Sequence, residues 1–317
     1  MTDLSAIQDT VIDGYHVDRG LRQLQMLELD LLKELLRVCQ KHQLRVWADS
    51  GTLLGAVRHH GFIPWDDDID VAMPRPDYDR LAEIAPSEFQ HPYFLQTTYT
   101  DPLHVRGHAQ LRNSMTTAIL EAEYDLDINQ GIFIDIFPLD GVPDDEGHQE
   151  RDKAETRRLL DVMRMNRPFS LPVTWNPAKM WRYCRRRSEA LAYLRQHRLT
   201  NEDCFRRFED ILRSVDYETA SRVGTLGFWY RRFKAHAIYD GTLMMKFEDI
   251  EIPVPVGYDA LLRIFFGDNY MTPIHEATAH AAMIYDTERP YTEVQARLRR
   301  EHSWVKDFVK EITKRLK

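Results

Sequence analysis

The sequence predicts an α/β (α+β) fold: a mixed sheet flanked by helices, with a helical, arginine-rich insertion in its second half. Three observations carry this. Leucines recur at helical spacing over residues 18–43. Gly131-Ile132-Phe133-Ile134-Asp135-Ile136-Phe137-Pro138 is a continuous β-branched and aromatic run, the mark of a strand buried on both faces. Between them, Trp65-Asp66-Asp67-Asp68-Ile69-Asp70-Val71 sets four carboxylates into five positions beside residues fit for a core.

The elements follow in order. Leu21, Leu24, Leu27, Leu31, Leu32, Leu35, Val38 and Cys39 give the first helix its apolar stripe, with Arg22, Lys33, Arg37 and Lys41 elsewhere on its surface. Leu44 to Ala48 alternates as a short strand, and Asp49-Ser50-Gly51-Thr52 is turn chemistry. Leu53 to His59 reads as a short helix ended by Gly61, and Ile63-Pro64 leads into an acidic strand. Pro74 and Pro76 end that strand, and Asp77 can cap a helix running to about Ile84. Residues 92–120 read as strands and loops, about 148–235 as helices interrupted by Pro168, Pro172 and Pro177. Ile250 to Pro255 is a further strand, and an amphipathic helix starts near 291. Units are expected at 1–147 (core with the N-terminal helix), 148–235 (basic insertion) and 236–317 (return to the core).

Composition narrows the function. The chain of 317 residues is 43% hydrophobic and 29% charged, a globular balance long enough for a real core. No run reaches transmembrane length, and Met1 to Asp13 lacks the basic start and apolar centre of a signal peptide. Three widely spaced cysteines, Cys39, Cys184 and Cys204, read as reduced thiols, so a cytoplasmic location is expected. The net charge of −8 is uneven: residues 1–150 hold 11 Lys+Arg against 27 Asp+Glu, and residues 151–235 hold 20 against 10. With so acidic a remainder and no recognisable module, nucleic acid is not an expected partner.

The acidic strand is the main chemical signal. On an extended strand Asp66, Asp68 and Asp70 would share one face, about 7 Å apart along the backbone. Like charges this close repel unless a hard cation joins them. A solvated acidic turn is the plainer reading. An EF-hand fails, because no Gly falls at loop position 6 and no Glu at position 12. Asp135 is the sole charge in the run Gly131 to Leu139, and a bare carboxylate there would cost several kcal/mol. It needs an arginine partner, or it joins Asp68 and Asp70 around Mg²⁺. Asp125-Leu126-Asp127-Ile128 repeats the Asp-x-Asp pattern without the preceding turn and helix, and reads as a solvated loop. Gly51-Thr52 at a helix N-terminus, with the Ser50 and Thr52 hydroxyls, suits a phosphate, although ordinary capping gives the same signal.

This order of turn, short helix, acidic strand and distant lone Asp is the pattern of the nucleotidyltransferase superfamily. In detail, Asp49-Ser50-Gly51-Thr52-Leu53-Leu54-Gly55-Ala56-Val57-Arg58-His59 and Gly61-Phe62-Ile63-Pro64-Trp65-Asp66-Asp67-Asp68-Ile69-Asp70 strongly resemble the LicD family, itself similar to fukutin and the fukutin-related protein. Leu111-Arg112-Asn113, the run from Gly131 to Asp140, and Phe247-Glu248 through Pro255, Tyr258 and Gly267-Asp268 agree. Gln110 departs from the pattern, where many relatives have Lys.

The resemblance implies a nucleotidyltransferase-like sheet and transfer of a phosphoryl-alcohol from a CDP-activated donor to a glycan, or a lipid-linked glycan, hydroxyl. Phosphocholine from CDP-choline is the best-known case, with CDP-ribitol and CDP-glycerol as other donors. Asp68 and Asp70 would hold Mg²⁺ (or Mn²⁺) on the donor diphosphate, and Asp135 would complete a second site or act as base. Ser50, Gly51, Thr52, Arg58 and Arg112 would bind the donor, the two arginines as bidentate phosphate partners unless they serve in structural salt bridges. His59 and His60 read as helix-end residues. True nucleotidyl transfer with pyrophosphate release uses the same carboxylates, and an inactive binding protein is the non-enzymatic alternative. In Leu171 to Arg187, Trp175, Trp181 and Tyr183 with Lys179, Arg182 and Arg185 to Arg187 suggest a peripheral contact with anionic membrane at its inner face, against a solvated helix with its aromatics buried.

Overall fold

The computed structural model describes residues 4–168, 176–228, 233–274 and 283–301. The chain opens with a hairpin, β1 (Thr10–Ile12) and β2 (Tyr15–Val17), turning at Asp13-Gly14, where both φ angles are positive. Helix α1 (Arg19–His42) starts where Asp18 accepts from the Leu21 N–H at 3.0 Å, and stops at Gln43 in the left-handed region. Its buried stripe is Leu24, Leu27, Leu31, Leu35 and Val38, as the leucine spacing requires.

Then come β3 (Trp47–Ala48), α2 (Ser50–Arg58), β4 (Asp70–Pro74) and α3 (Arg75–Glu88). The strand before the turn is two residues long, shorter than expected. The acidic segment departs further: its strand begins only at Asp70, and Asp66 to Asp68 lie in the loop before it. The cause is a turn at Pro64-Trp65, closed by the Asp66 N–H on the Ile63 carbonyl at 2.9 Å. Pro76 sits in the first turn of α3, where its missing N–H costs nothing.

Next are β5 (Tyr93–Gln96), β6 (Ala109–Asn113), β7 (Thr117–Leu120) and β8 (Ile132–Gly141). Asp125 to Ile128 is turn and bend, as its lack of strand context suggested. The insertion supplies α4 (Glu146–Met165), α5 (Pro177–His197) and α6 (Asn201–Leu212). It ends in β9 (Arg222–Gly224) and β10 (Lys234–Ala235). The hairpin β11 (Thr242–Phe247) and β12 (Ile250–Pro255), helix α7 (Tyr258–Phe266), β13 (Met283–Asp286) and α8 (Tyr291–Glu301) complete the described chain.

The central sheet is mixed. β4 and β8 are parallel, β3 lies antiparallel on the far side of β4, and β6 with β5 extends from β8. β9 pairs with the last residues of β8, so the sheet carries on into the end of the insertion. One core joins α1, α2, α3 and the sheet through Leu31, Leu53, Ile69, Leu81, Leu111 and Ile134, all at most 1% exposed. A second core, with Leu159, Met163, Phe205 and Phe208, holds α4 and α6 together.

Candidate active site

Register builds the site. Asp70 lies opposite Asp135 on the parallel pair β4 and β8. Adjacent strands are about 4.8 Å apart, and residues in register share a face. β6 places Gln110 opposite Asp135, and β5 places Gln96 opposite Gln110. One polar row, Asp70, Asp135, Gln110 and Gln96, thus crosses four strands. Ile69, Val71, Ile134 and Ile136 alternate with the two aspartates and fill the opposite, apolar face.

The row is wired together. Gln110 Nε2 donates to Asp135 Oδ1 at 2.7 Å, and His108 Nε2 meets the same oxygen at 3.1 Å. Burial pushes the Asp135 carboxyl up, but His108 and Gln110 outweigh it and hold it below the usual carboxylate range. Arg112 donates to the Oε1 atoms of both Gln96 and Gln110, and at 2.7 Å to the Gly131 carbonyl. This fixes which end of the Gln110 amide faces Asp135. The sequence expectation made Arg112 a phosphate partner. At 4% exposure, with three internal acceptors and the Phe133 ring 4.6 Å away, it instead braces the row from behind.

Helix α2 abuts Asp70. The Asp49 N–H bonds the Asp70 carbonyl at 3.0 Å, and the Thr52 hydroxyl accepts from the Asp70 N–H at 2.8 Å. Thr52 is 3% exposed, so its first task is to position Asp70. Ser50 takes a positive φ of 45° at the head of the helix. A Cβ on Gly51 would stand 2.5 Å from Asp66 Oδ2, so any side chain there would push the Asp66 carboxylate aside. Arg58, at the far end of α2, donates to His59 Nε2 at 2.9 Å and to the Tyr270 carbonyl at 2.8 Å. Burial lowers its pKa, and Asp66 counters.

The sequence reading missed Glu28. It comes from α1, is 2% exposed, and carries an Oε2 with no hydrogen-bond partner among the described residues. Burial first, then the charges of Asp68, Asp67, Asp66 and Asp135, push its carboxyl well up. Burial, Asp68 and Asp135 do the same to Asp70. The signal was legible: Glu28 stands four residues after Leu24 and three before Leu31, a carboxylate inside a leucine stripe. Tyr285 of β13 feels the same charges, its hydroxyl raised by burial and then by Asp67 and Glu28.

This concentration of carboxylates fits a hard cation by its oxygen-only donor set. Among the described residues, however, no three His, Cys, Asp or Glu side chains already stand as a ligand set. Asp70 and Asp135 are paired by the sheet, whereas Asp68 belongs to the loop before it.

Glu28→Gln tests this strain without touching the sheet. A carboxyl raised in the folded state stabilises fully below its unfolded pKa of about 4.3, and that contribution is lost as pH rises through the folded value. The variant should therefore match the wild type near pH 4.5 and melt at a higher temperature near pH 8 without divalent metal. Superimposable melting temperatures at both pH values would show that Glu28 carries no such penalty.

Residues 43–164 match the nucleotidyltransferase domain described as LicD/FKTN/FKRP, a span that holds every candidate residue above except Glu28, Tyr270 and Tyr285. Over 262 residues the chain is 25% identical to the lipopolysaccharide cholinephosphotransferase LicD of Haemophilus influenzae, which covers 81% of this chain and 93% of that protein. An uncharacterized protein of Rickettsia prowazekii is 36% identical over 80 residues, 25% of this chain and 29% of that protein. Another, from Rickettsia typhi, is 43% identical over 56 residues, 18% of each chain.

Proposed function

Because this chain belongs to the LicD family, we propose that it moves a phosphoryl-alcohol, phosphocholine from CDP-choline in the reading best supported, to a hydroxyl of a cell-surface glycan or its lipid-linked precursor, releasing CMP. The observation that carries this is the register pairing of Asp70 with Asp135 beside the N-terminus of α2. That the Haemophilus influenzae relative is a lipopolysaccharide cholinephosphotransferase supports choline as the alcohol and lipopolysaccharide as the acceptor class.

Phosphoryl transfer asks for positioning and charge neutralisation more than for covalent chemistry. Asp70 and Asp135, with Asp68, would hold Mg²⁺ or Mn²⁺, which would neutralise the donor diphosphate and the leaving CMP. The rest belongs to the chain. The positive dipole end of α2, which has no side-chain cap, suits a donor phosphate. Ser50 adds a hydroxyl there. Gln110 and His108 both bind Asp135 Oδ1, which leaves Oδ2 for a ligand or for the proton of the attacking hydroxyl. Tyr15 and Trp65 meet edge to face at 5.3 Å next to Asp66. Aromatic faces beside carboxylates suit a quaternary ammonium.

No helix among the described residues is long and apolar enough to cross a membrane. On α5, Trp181 is 62% exposed, with the Arg185 guanidinium 5.6 Å from its ring centre. Lys179, Arg182 and Arg186 are exposed on the same helix, while Trp175 lies outside the described residues. An exposed Trp among cations supports a cytoplasmic enzyme that touches the inner face of an anionic membrane to reach its acceptor.

The products decide the reaction. With Mg²⁺, CDP-choline and lipopolysaccharide, CMP should appear in step with choline on the glycan. Pyrophosphate from CTP and phosphocholine, with no CMP from CDP-choline, would replace this reading by true nucleotidyl transfer on the same carboxylates.

A further inference from the structure

The core and the insertion line an open cavity of about 690 Å³, within the usual range for a ligand site. Arg106 lines it from the core, Arg157, Arg158 and Arg164 from α4, and Arg186 from α5. The acid in this wall, Asp161, is paired with Arg186. Outside the wall, Glu123 pairs with Arg106 at 3.2 Å and Glu155 with Arg158 at 3.8 Å, which leaves Arg157 and Arg164 as the two arginines of the wall with no ion pair among the described residues. Burial, and then the neighbouring charges of Arg167 and Arg106, lower the pKa of Arg164. No residue of the transfer site described above explains this surplus.

His108 joins the cavity to that site. It stands in the cavity wall, 5% exposed, with Nε2 on Asp135 and a buried Nδ1 that has no hydrogen-bond partner among the described residues. An unmet buried polar atom is destabilising, and a ligand that reached it would remove that penalty. The wall is packed from behind. Gly107 and Gly227 cross so closely that a Cβ on either would clash with the other's carbonyl oxygen. Phe228, beside that crossing, meets the His108 ring at 5.4 Å.

Direction then assigns the occupant. In phosphoryl transfer the attacking and leaving oxygens lie roughly in line. The donor phosphates belong at the N-terminus of α2, beside Asp70 on β4, whereas His108, in the cavity wall, reaches Asp135 from the β6 side of β8. We propose that this arginine cavity seats the phosphate or carboxylate groups of an anionic acceptor sugar, close to the hydroxyl that is modified. Arginine forks bind both groups in bidentate fashion. The proposal rests on Asp70 and Asp135 being the transfer centre.

Two ligands and two variants test it. Glucose 6-phosphate is the acceptor-side probe, glucose its neutral control, and CDP with Mg²⁺ the donor-side probe. Binding is read by ligand-detected NMR on the full chain, wild type and the variants Arg157→Gln and Arg164→Gln. The wild type should bind glucose 6-phosphate, not glucose, and salt should weaken the binding. Each variant should lose about tenfold in affinity for the sugar phosphate, roughly 1.4 kcal/mol, and hold CDP within about twofold, which also shows that it is folded. Unchanged sugar-phosphate binding in both variants overturns the proposal, and so does loss of CDP binding instead, which would give the cavity to the donor diphosphate. Failure of the wild type to bind CDP with Mg²⁺ would strike the transfer reading. Arginine-dependent sugar-phosphate binding would still mark the cavity as an anion site.

Discussion

Asp70→Asn and Asp135→Asn are each expected to lower transfer about a thousandfold or more, the scale on which removal of one preorganised electrostatic group acts, while shifting stability in opposite directions. Asp70 is raised by burial and by four like charges, Asp68, Asp135, Asp49 and Asp66, so at neutral pH its ionised form is strained in the folded chain. Asparagine removes that charge, keeps the size, and leaves the backbone bond to Thr52 intact. Melting temperature without metal should rise. Asp135 is the reverse case. His108 and Gln110 hold its carboxyl low, so its ionised form stabilises the fold above the unfolded pKa of about 3.9, and that stability is lost as pH falls through the lower folded value. An amide oxygen there can still accept from Gln110, whose orientation Arg112 locks, but it carries no charge to strengthen the bonds from Gln110 and His108. Melting temperature should fall near neutral pH, and the deficit should shrink in acid. Any stabilisation of the wild type by Mg²⁺ should be absent from both variants. Near-normal turnover of either variant in saturating Mg²⁺ would remove that aspartate from the chemistry. A shared sign for the two stability shifts would mean that the electrostatic contrast across β4 and β8 is wrong.

Why was this pair legible in the sequence when its neighbours were not? Asp70 and Asp135 each open or interrupt an apolar β-branched run, and a charge in such a run has few places to go. Strand pairing then needs only register, which the alternation of Ile69, Val71, Ile134 and Ile136 sets. Asp66 and Asp68 were misplaced because period-two spacing cannot tell a strand from an extended loop. Pro64 and Trp65 decided it by turning the chain. Arg112 reads from its motif as a phosphate ligand, yet its fate depends on Gln96 and Gly131, sixteen and nineteen residues away, and on a strand pairing invisible locally. Gln110, noted as a departure from relatives, is the residue that touches Asp135 directly. The cavity was least legible of all. The positive balance of the insertion could be counted, but its arginines meet Arg106 and His108 only once α4 and α5 pack beside the sheet.

Arg75→Met is expected to cost about 3–5 kcal/mol of stability at neutral pH, the usual result of stripping one partner from a buried ion pair. Asp140, at the end of β8, is 0% exposed and accepts from Arg75 Nε at 2.6 Å. Glu209 of α6, 5% exposed, lies 3.5 Å from Arg75 and is also served by Arg213 at 3.2 Å and the Tyr99 hydroxyl at 2.8 Å. Arg75 therefore ties sheet, α3 and insertion together, and among the described residues Asp140 has no such second cation in contact. Burial already lifts the Asp140 carboxyl to about 6 despite Arg75. A folded pKa above the unfolded value of about 3.9 means that its contribution is fully present in acid and declines as pH rises through 6. Without Arg75 that pKa climbs further, and the carboxyl can escape the penalty by keeping its proton. The deficit of Arg75→Met against wild type should then be small near pH 5 and large near pH 8 in urea denaturation. Replacing both partners, as Arg75→Met with Asp140→Leu, should recover most of the loss, since a buried pair exchanged for apolar side chains of similar size is often neutral. A single variant that loses less than about 1 kcal/mol at pH 8, or a double variant as unstable as the single, would show that the pair is solvated and does not hold the insertion to the core.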